Sequence, residues 1–141
     1  FYMGNQETRK AGGYVKELCY VAIFGLAYLE RTSEPAMLLN FSMDPTPTVR
    51  EFVETIRKVA GIRKKPMRVP RSLLLGLSYP IDAIGKVLGI SQPISPVRVR
   101  KLYRSTNIEP VRLRELGYQY HYTLEEAFED WKQDLPADFE S

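Results

Sequence analysis

Residues 16–31 constrain this chain's fold more than any other stretch. Leu18, Val21, Ala22, Gly25 and Leu29 recur at helical spacing on one face. The opposite face carries Tyr20, Ile23, Phe24 and Ala27. A helix apolar nearly all round is expected to be packed on two sides. Large α/β enzymes offer two sides readily; 141 residues, one domain's worth of chain, can do so only by closing a core around the helix. The uncharged part, residues 18–29, is about a dozen residues long. A membrane span needs roughly 20, so the reading is a buried helix, with no membrane partner.

Hydrophobic content of 44% and charged content of 26% fit an ordinary globular protein. A net charge of +3 supplies no whole-molecule field that would argue for nucleic acid. Cys19 is the single cysteine, so neither a disulfide framework nor a thiolate metal site can be built. A reducing, cytoplasmic setting follows. The start is neither basic nor followed by an apolar run and cleavage site, so no signal peptide is read there.

Residues 1–13 carry three glycines and little periodicity, as a loop or ragged strand does. Residues 36–42 (AMLLNFS) form a short apolar run between turn signals and read as a buried strand. Thr48 followed by Glu51 is a capping box that starts a helix, with Val49, Phe52, Val53, Ile56 and Ala60 as its apolar stripe. Gly61 supplies the left-handed stop. Residues 67–69 read as a second short strand. Strand, helix and strand together make a βαβ unit with a right-handed crossover. The expected fold class is therefore α/β: a small, mostly helical part carrying one short βαβ unit.

Further on, residues 71–89 are strongly apolar, and Pro80 is expected to kink or split them. Residues 91–96 read as a linker with two prolines, and residues 96–104 as a basic helical segment. Glu109 and Pro110 open a short helix that stops at Gly117. Thr123 with Glu126 is a second capping box, starting a helix with Leu124, Ala127, Phe128, Trp131 and Leu135 on one face.

Charge clusters are weak signals here. Seven cations lie between Arg57 and Arg71, but no aromatic residue is interleaved for base stacking, so a solvated helix end and loop is the preferred reading over nucleic acid. Arg98, Arg100, Lys101 and Arg104 form a second cluster that could grip a diphosphate. His121 has no second histidine to share a metal, and packing is its expected role. The stripe Leu73, Leu77, Ile81, Ile84 and Leu88 is either core or a surface for a missing domain, a second copy or a ligand.

In order and spacing, four blocks resemble the C-terminal portion of an extended short-chain dehydrogenase/reductase, the family of NAD-dependent nucleotide-sugar epimerases and dehydratases. GGYVKELCYVAIFGLAYLE resembles the family's V-D-D strand end and following helix. AMLLNFSMDPTPTVREFVETIRKVAG resembles its strand, cap and helix, and RKKPMRVP its second short strand. STNIEPVRLRELGYQYHYTLEEAFEDWKQDL resembles its closing segment. The chain departs from the pattern where Lys10 and Ala11 stand for an Arg-Asp pair, Lys16 and Glu17 for the paired acids, and Asn107 for an aspartate.

The resemblance implies a division of labour. An N-terminal Rossmann portion would bind NAD or NADP and carry a Tyr-x-x-x-Lys pair. Neither Gly-x-x-Gly-x-x-Gly nor a tyrosine followed four residues later by lysine occurs in this chain. Residues 1–141, opening at Phe1 without an initiator Met, are thus expected to be a single substrate-binding fragment of a longer oxidoreductase or isomerase. Alone it would be inactive and hold no cofactor. By similarity of position Lys10, Arg98 and Arg104 would contact the diphosphate of a nucleotide-sugar, with Arg100 as the alternative register and Asn40 at a strand end. The second reading is a free-standing protein-interaction or anion-binding module.

Overall fold

The computed structural model describes residues 5–64, 66–67, 69–89 and 95–140. It is 57% helical, and among the described residues there is no strand and no sheet. The expected α/β class and its βαβ unit are therefore corrected: the fold is helical. The described residues form, in order, the α-helices α1 (Val15–Thr32), α2 (Val49–Ala60), α3 (Arg71–Val87), α4 (Pro96–Leu102), α5 (Val111–Glu115) and α6 (Leu124–Asp134). A 3-10 turn, Pro136–Phe139, follows α6.

The reason residues 36–42 form no strand lies in their surroundings. Leu38 is 87% exposed and Asn40 is exposed, while Met37, Leu39 and Phe41 are half-buried. Side chains alternate as on a strand, but no ladder partner lies alongside. Leu39 and Met37 rest instead against Gly25 of α1, where an added Cβ would stand 3.3 Å from Leu39 Cδ1 and 3.5 Å from Met37 Sδ. Of the second expected strand, Met67 is 75% exposed and unpaired in any ladder, and Arg68 lies outside the described residues. The linker at 91–96 falls mostly outside them too.

Two compact units divide the chain. One comprises Phe1–Thr8 and Arg63–Ser105; the other comprises Arg9–Ile62 and Thr106–Ser141.

In the first unit α3 packs on α4. Val99 and Ser78 are buried, and the Ser78 hydroxyl donates to the Leu75 carbonyl at 2.8 Å. The Arg71 guanidinium lies 5.2 Å from the centre of the Tyr103 ring. α3 runs through Pro80 without being split. Proline removes one helical bond, the one to the Gly76 carbonyl. Of the apolar stripe, Leu73, Leu77, Ile84 and Leu88 are each more than half exposed, while Ile81 is half-buried.

In the second unit both capping boxes are formed: Thr48 with Glu51 starts α2, and Thr123 with Glu126 starts α6. Gly61 ends α2 at φ 71°. α2 packs on α6, with Phe52 edge-on to Phe128 at 5.0 Å. Val21, Leu113 and Tyr118 form the core, with Phe24, Leu39, Phe41 and Tyr120 against it. α1 buries only Glu17, Val21 and Gly25, a stripe at i, i+4 and i+8. The two-sided packing expected of this helix is absent within the unit; Val15, Leu18, Ile23 and Leu26 stay exposed.

Candidate functional site

A cavity of about 450 Å³ lies in the second unit. Three stretches build it. Residues 10–14 form one wall: the Ala11 amide donates to the Thr106 carbonyl at 2.9 Å, and the Gly12 carbonyl accepts from Met43 at 2.9 Å. Isolated bridges join Arg9 to Thr48 and Lys10 to Thr106. The start of α2 contributes Thr48, Val49 and Phe52. α6 contributes Leu124, Ala127, Phe128 and Trp131 along its apolar stripe. Each capping box fixes where its helix begins, and so which side chains of α2 and α6 reach the cavity.

The polar groups around it are mostly engaged. The Glu51 carboxylate accepts from the Thr48 amide at 2.7 Å and from the Thr48 hydroxyl at 2.9 Å. The backbone bond leads in holding this carboxyl below the ordinary glutamate range. Tyr14 donates its hydroxyl to Asp130. Burial first, then the Asp130 bond, pushes the Tyr14 phenol up to about 12. Lys16 bridges Asp130 at 2.6 Å and Asp134 at 2.7 Å, and these bonds hold its ammonium above the ordinary lysine range.

Sequence reasoning missed Glu17 as a centre of organisation. It is fully buried and accepts hydrogen bonds from the Tyr118 hydroxyl, the His121 amide at 3.0 Å and the Tyr122 amide at 2.9 Å. The His121 ring stacks on Tyr20, centroids 4.0 Å apart. A carboxylate heading an i, i+4, i+8 stripe of Val21 and Gly25 was the signal available. Tyr120 donates to the Ser42 carbonyl at 2.7 Å, and Ser42 donates to the Ile108 carbonyl at 2.6 Å. Burial, ahead of the nearby Asp44 charge, pushes the Tyr120 phenol up to about 12.

The candidate ligand contacts fall in different places. Lys10 lines the cavity. Asn40 is exposed on the extended segment. Arg98, Arg100 and Arg104 belong to the first unit. Arg98 sits in the first turn of α4, its amide bonded to Ser95 Oγ at 3.3 Å. Arg100 donates to the Tyr79 hydroxyl at 2.8 Å. Arg104 lies just past the end of α4. Two residues along a helix turn the side chain by about 200°, so Arg98 and Arg100 leave α4 in divergent directions.

Of the first basic cluster, Arg57 donates to the Ile62 carbonyl at 3.3 Å and Lys58 to Glu125 at 2.5 Å. Lys65 and Arg68 lie outside the described residues. Among the described residues no three His, Cys, Asp or Glu side chains are grouped so as to hold a metal ion, and no helix is long and apolar enough to cross a membrane. No family model, no curated protein and no solved structure matches this chain.

Proposed function

We propose that this chain is the substrate-side portion of an NAD(P)-dependent enzyme of the extended short-chain dehydrogenase/reductase family, acting in the cytoplasm on a nucleotide-sugar as an epimerase, dehydratase or reductase. The observation that supports this reading best is the bare face of α1. Val15 is 66% exposed, Ile23 63% and Leu26 63%, on a helix whose sequence is apolar on both sides. An apolar face of this kind calls for a cover. In this reading the cover is the Rossmann portion that holds NAD or NADP and carries the catalytic tyrosine and lysine. The chain's own contribution is positioning: in this reading Lys10, on the cavity wall of the second unit, is assigned to the diphosphate. The exposed part of the α3 stripe is assigned to contact with a second copy.

The test is the longest reading frame that contains this chain, expressed beside the chain alone and assayed for NAD(P)H turnover with nucleotide-sugars. The expected result is a glycine-rich strand–turn–helix and a Tyr-x-x-x-Lys pair upstream, with activity only in the longer protein. A frame lacking both elements overturns the reading, as does hydride transfer by residues 1–141 alone.

A further inference from the structure

What the cavity of the second unit can hold follows from its own walls and does not rest on the enzyme reading. Its volume, about 450 Å³, lies within the range of roughly 300–1,000 Å³ typical of small-molecule sites. Three rings line it in series. Phe52 stands edge-on to Phe128 with centroids 5.0 Å apart, and Phe128 lies near-parallel to Trp131, at 21° and 6.1 Å. The polar side chains on the lining have partners within the chain. Tyr14 donates to Asp130, the Thr48 hydroxyl is bonded to Glu51 at 2.9 Å, and the Trp131 indole N–H donates to Asp138 at 2.9 Å. Lys10 is not without a partner either. The backbone of this wall is paired as well: the Lys10 amide donates to the Pro47 carbonyl at 3.4 Å, the Ala11 amide to the Thr106 carbonyl at 2.9 Å, and the Gly12 carbonyl accepts from Met43.

These pairings sort the occupant. An extended peptide needs backbone groups to bond with, and residues 10–12 already spend theirs on the chain itself. A charged ligand would give up its water among side chains whose polar groups are engaged elsewhere. A neutral ring asks for neither, and aromatic walls reward it with stacking and apolar burial together. We propose that this cavity binds a small, uncharged, apolar aromatic molecule, its ring against Phe52, Phe128 and Trp131. No covalent step is involved.

Trp131 is the only tryptophan, so its indole N–H gives one unambiguous signal in a ¹H–¹⁵N spectrum. The experiment titrates the chain at neutral pH with toluene, phenylacetate and benzylammonium, which share a benzyl group and differ in charge, and follows that signal. The expected result is a saturable shift with toluene, at least about tenfold tighter than with either ion. Gly12 is on the lining, and a Cβ added there meets nothing within 4 Å, so a larger side chain can be grown from this wall. Gly12→Leu is expected to weaken toluene by about tenfold or more. Phe52→Leu removes one ring of the wall and is expected to weaken it by about two- to tenfold. If either variant loses its dispersed spectrum, the other and the ranking of the three probes on the unaltered chain decide. Absence of a saturable shift with toluene overturns the proposal. So does an ion that binds as tightly as toluene, or unchanged affinity in the folded variants. A Trp131 signal that moves with protein concentration alone means that a second copy fills the cavity, and overturns it too.

Discussion

Tyr118 donates its phenolic hydrogen to the fully buried carboxylate of Glu17, across 101 residues of chain. The same carboxylate takes the amides of His121 and Tyr122. One acid thus fastens the beginning of α1 to the turn that leads into α6. Burial, reinforced by Glu17, holds the Tyr118 phenol well above its ordinary range, which keeps it a donor at neutral pH.

Removing this acceptor takes the partner from the buried Tyr118 hydroxyl and from the part-buried amides of His121 and Tyr122. Each unsatisfied buried group costs about 1–3 kcal/mol, so Glu17→Ala is expected to lose roughly 3 kcal/mol or more, and Tyr118→Phe roughly 1.5–3 kcal/mol. Urea denaturation of the two single variants and the double variant measures the coupling. A coupling energy near zero would show that the carboxylate and phenol act independently.

The capping boxes set an acid limb. Thr48→Ala and Thr123→Ala are each expected to cost about 1 kcal/mol. Glu51 and Glu126 both have carboxyls held below their ordinary value of 4.5, chiefly by the amides of Thr48 and Thr123. A depressed folded pKa adds stability above 4.5 that disappears as pH falls through the folded value. The urea midpoint is therefore expected to drop below pH 4.5, and the combined Glu51→Gln and Glu126→Gln variant to show a shallower drop.

Gly13 and Gly12 are neighbours with opposite tolerances. A Cβ on Gly13 would stand 2.2 Å from Phe41 Cε1, whereas one on Gly12 would meet nothing within 4 Å. Gly13→Ala is expected to cost about 1–3 kcal/mol through overpacking, and Phe41→Leu to recover part of it. Gly12→Ala is expected to be neutral or to stabilise by about 0.4–1 kcal/mol. Thermal unfolding of the three variants gives the comparison.

The exposed face of α1 separates stability from association. Ile23→Lys and Leu26→Lys are expected to change the stability of the isolated chain by no more than about 0.5 kcal/mol. The same substitutions in the longer reading frame are expected to lower its melting temperature and its soluble yield. A large loss in the isolated chain would mean that this face is already covered there.

Helix boundaries were legible in the sequence because their causes are local. Thr48 with Glu51, Thr123 with Glu126, and Gly61 act through bonds that span three to five residues, and each appears in the structure where the pattern placed it. Residues 36–42 and 67–69 were not legible. An apolar run specifies extended backbone but cannot supply the neighbour that makes a strand, and no ladder forms among the described residues. Which side of α1 is covered was likewise settled by tertiary structure. The donors that draw Glu17 inward lie about a hundred residues downstream, beyond any local pattern. The cavity belongs to the same class: its walls come from three distant segments, and only folding brings Lys10, Phe52 and Trp131 around one space.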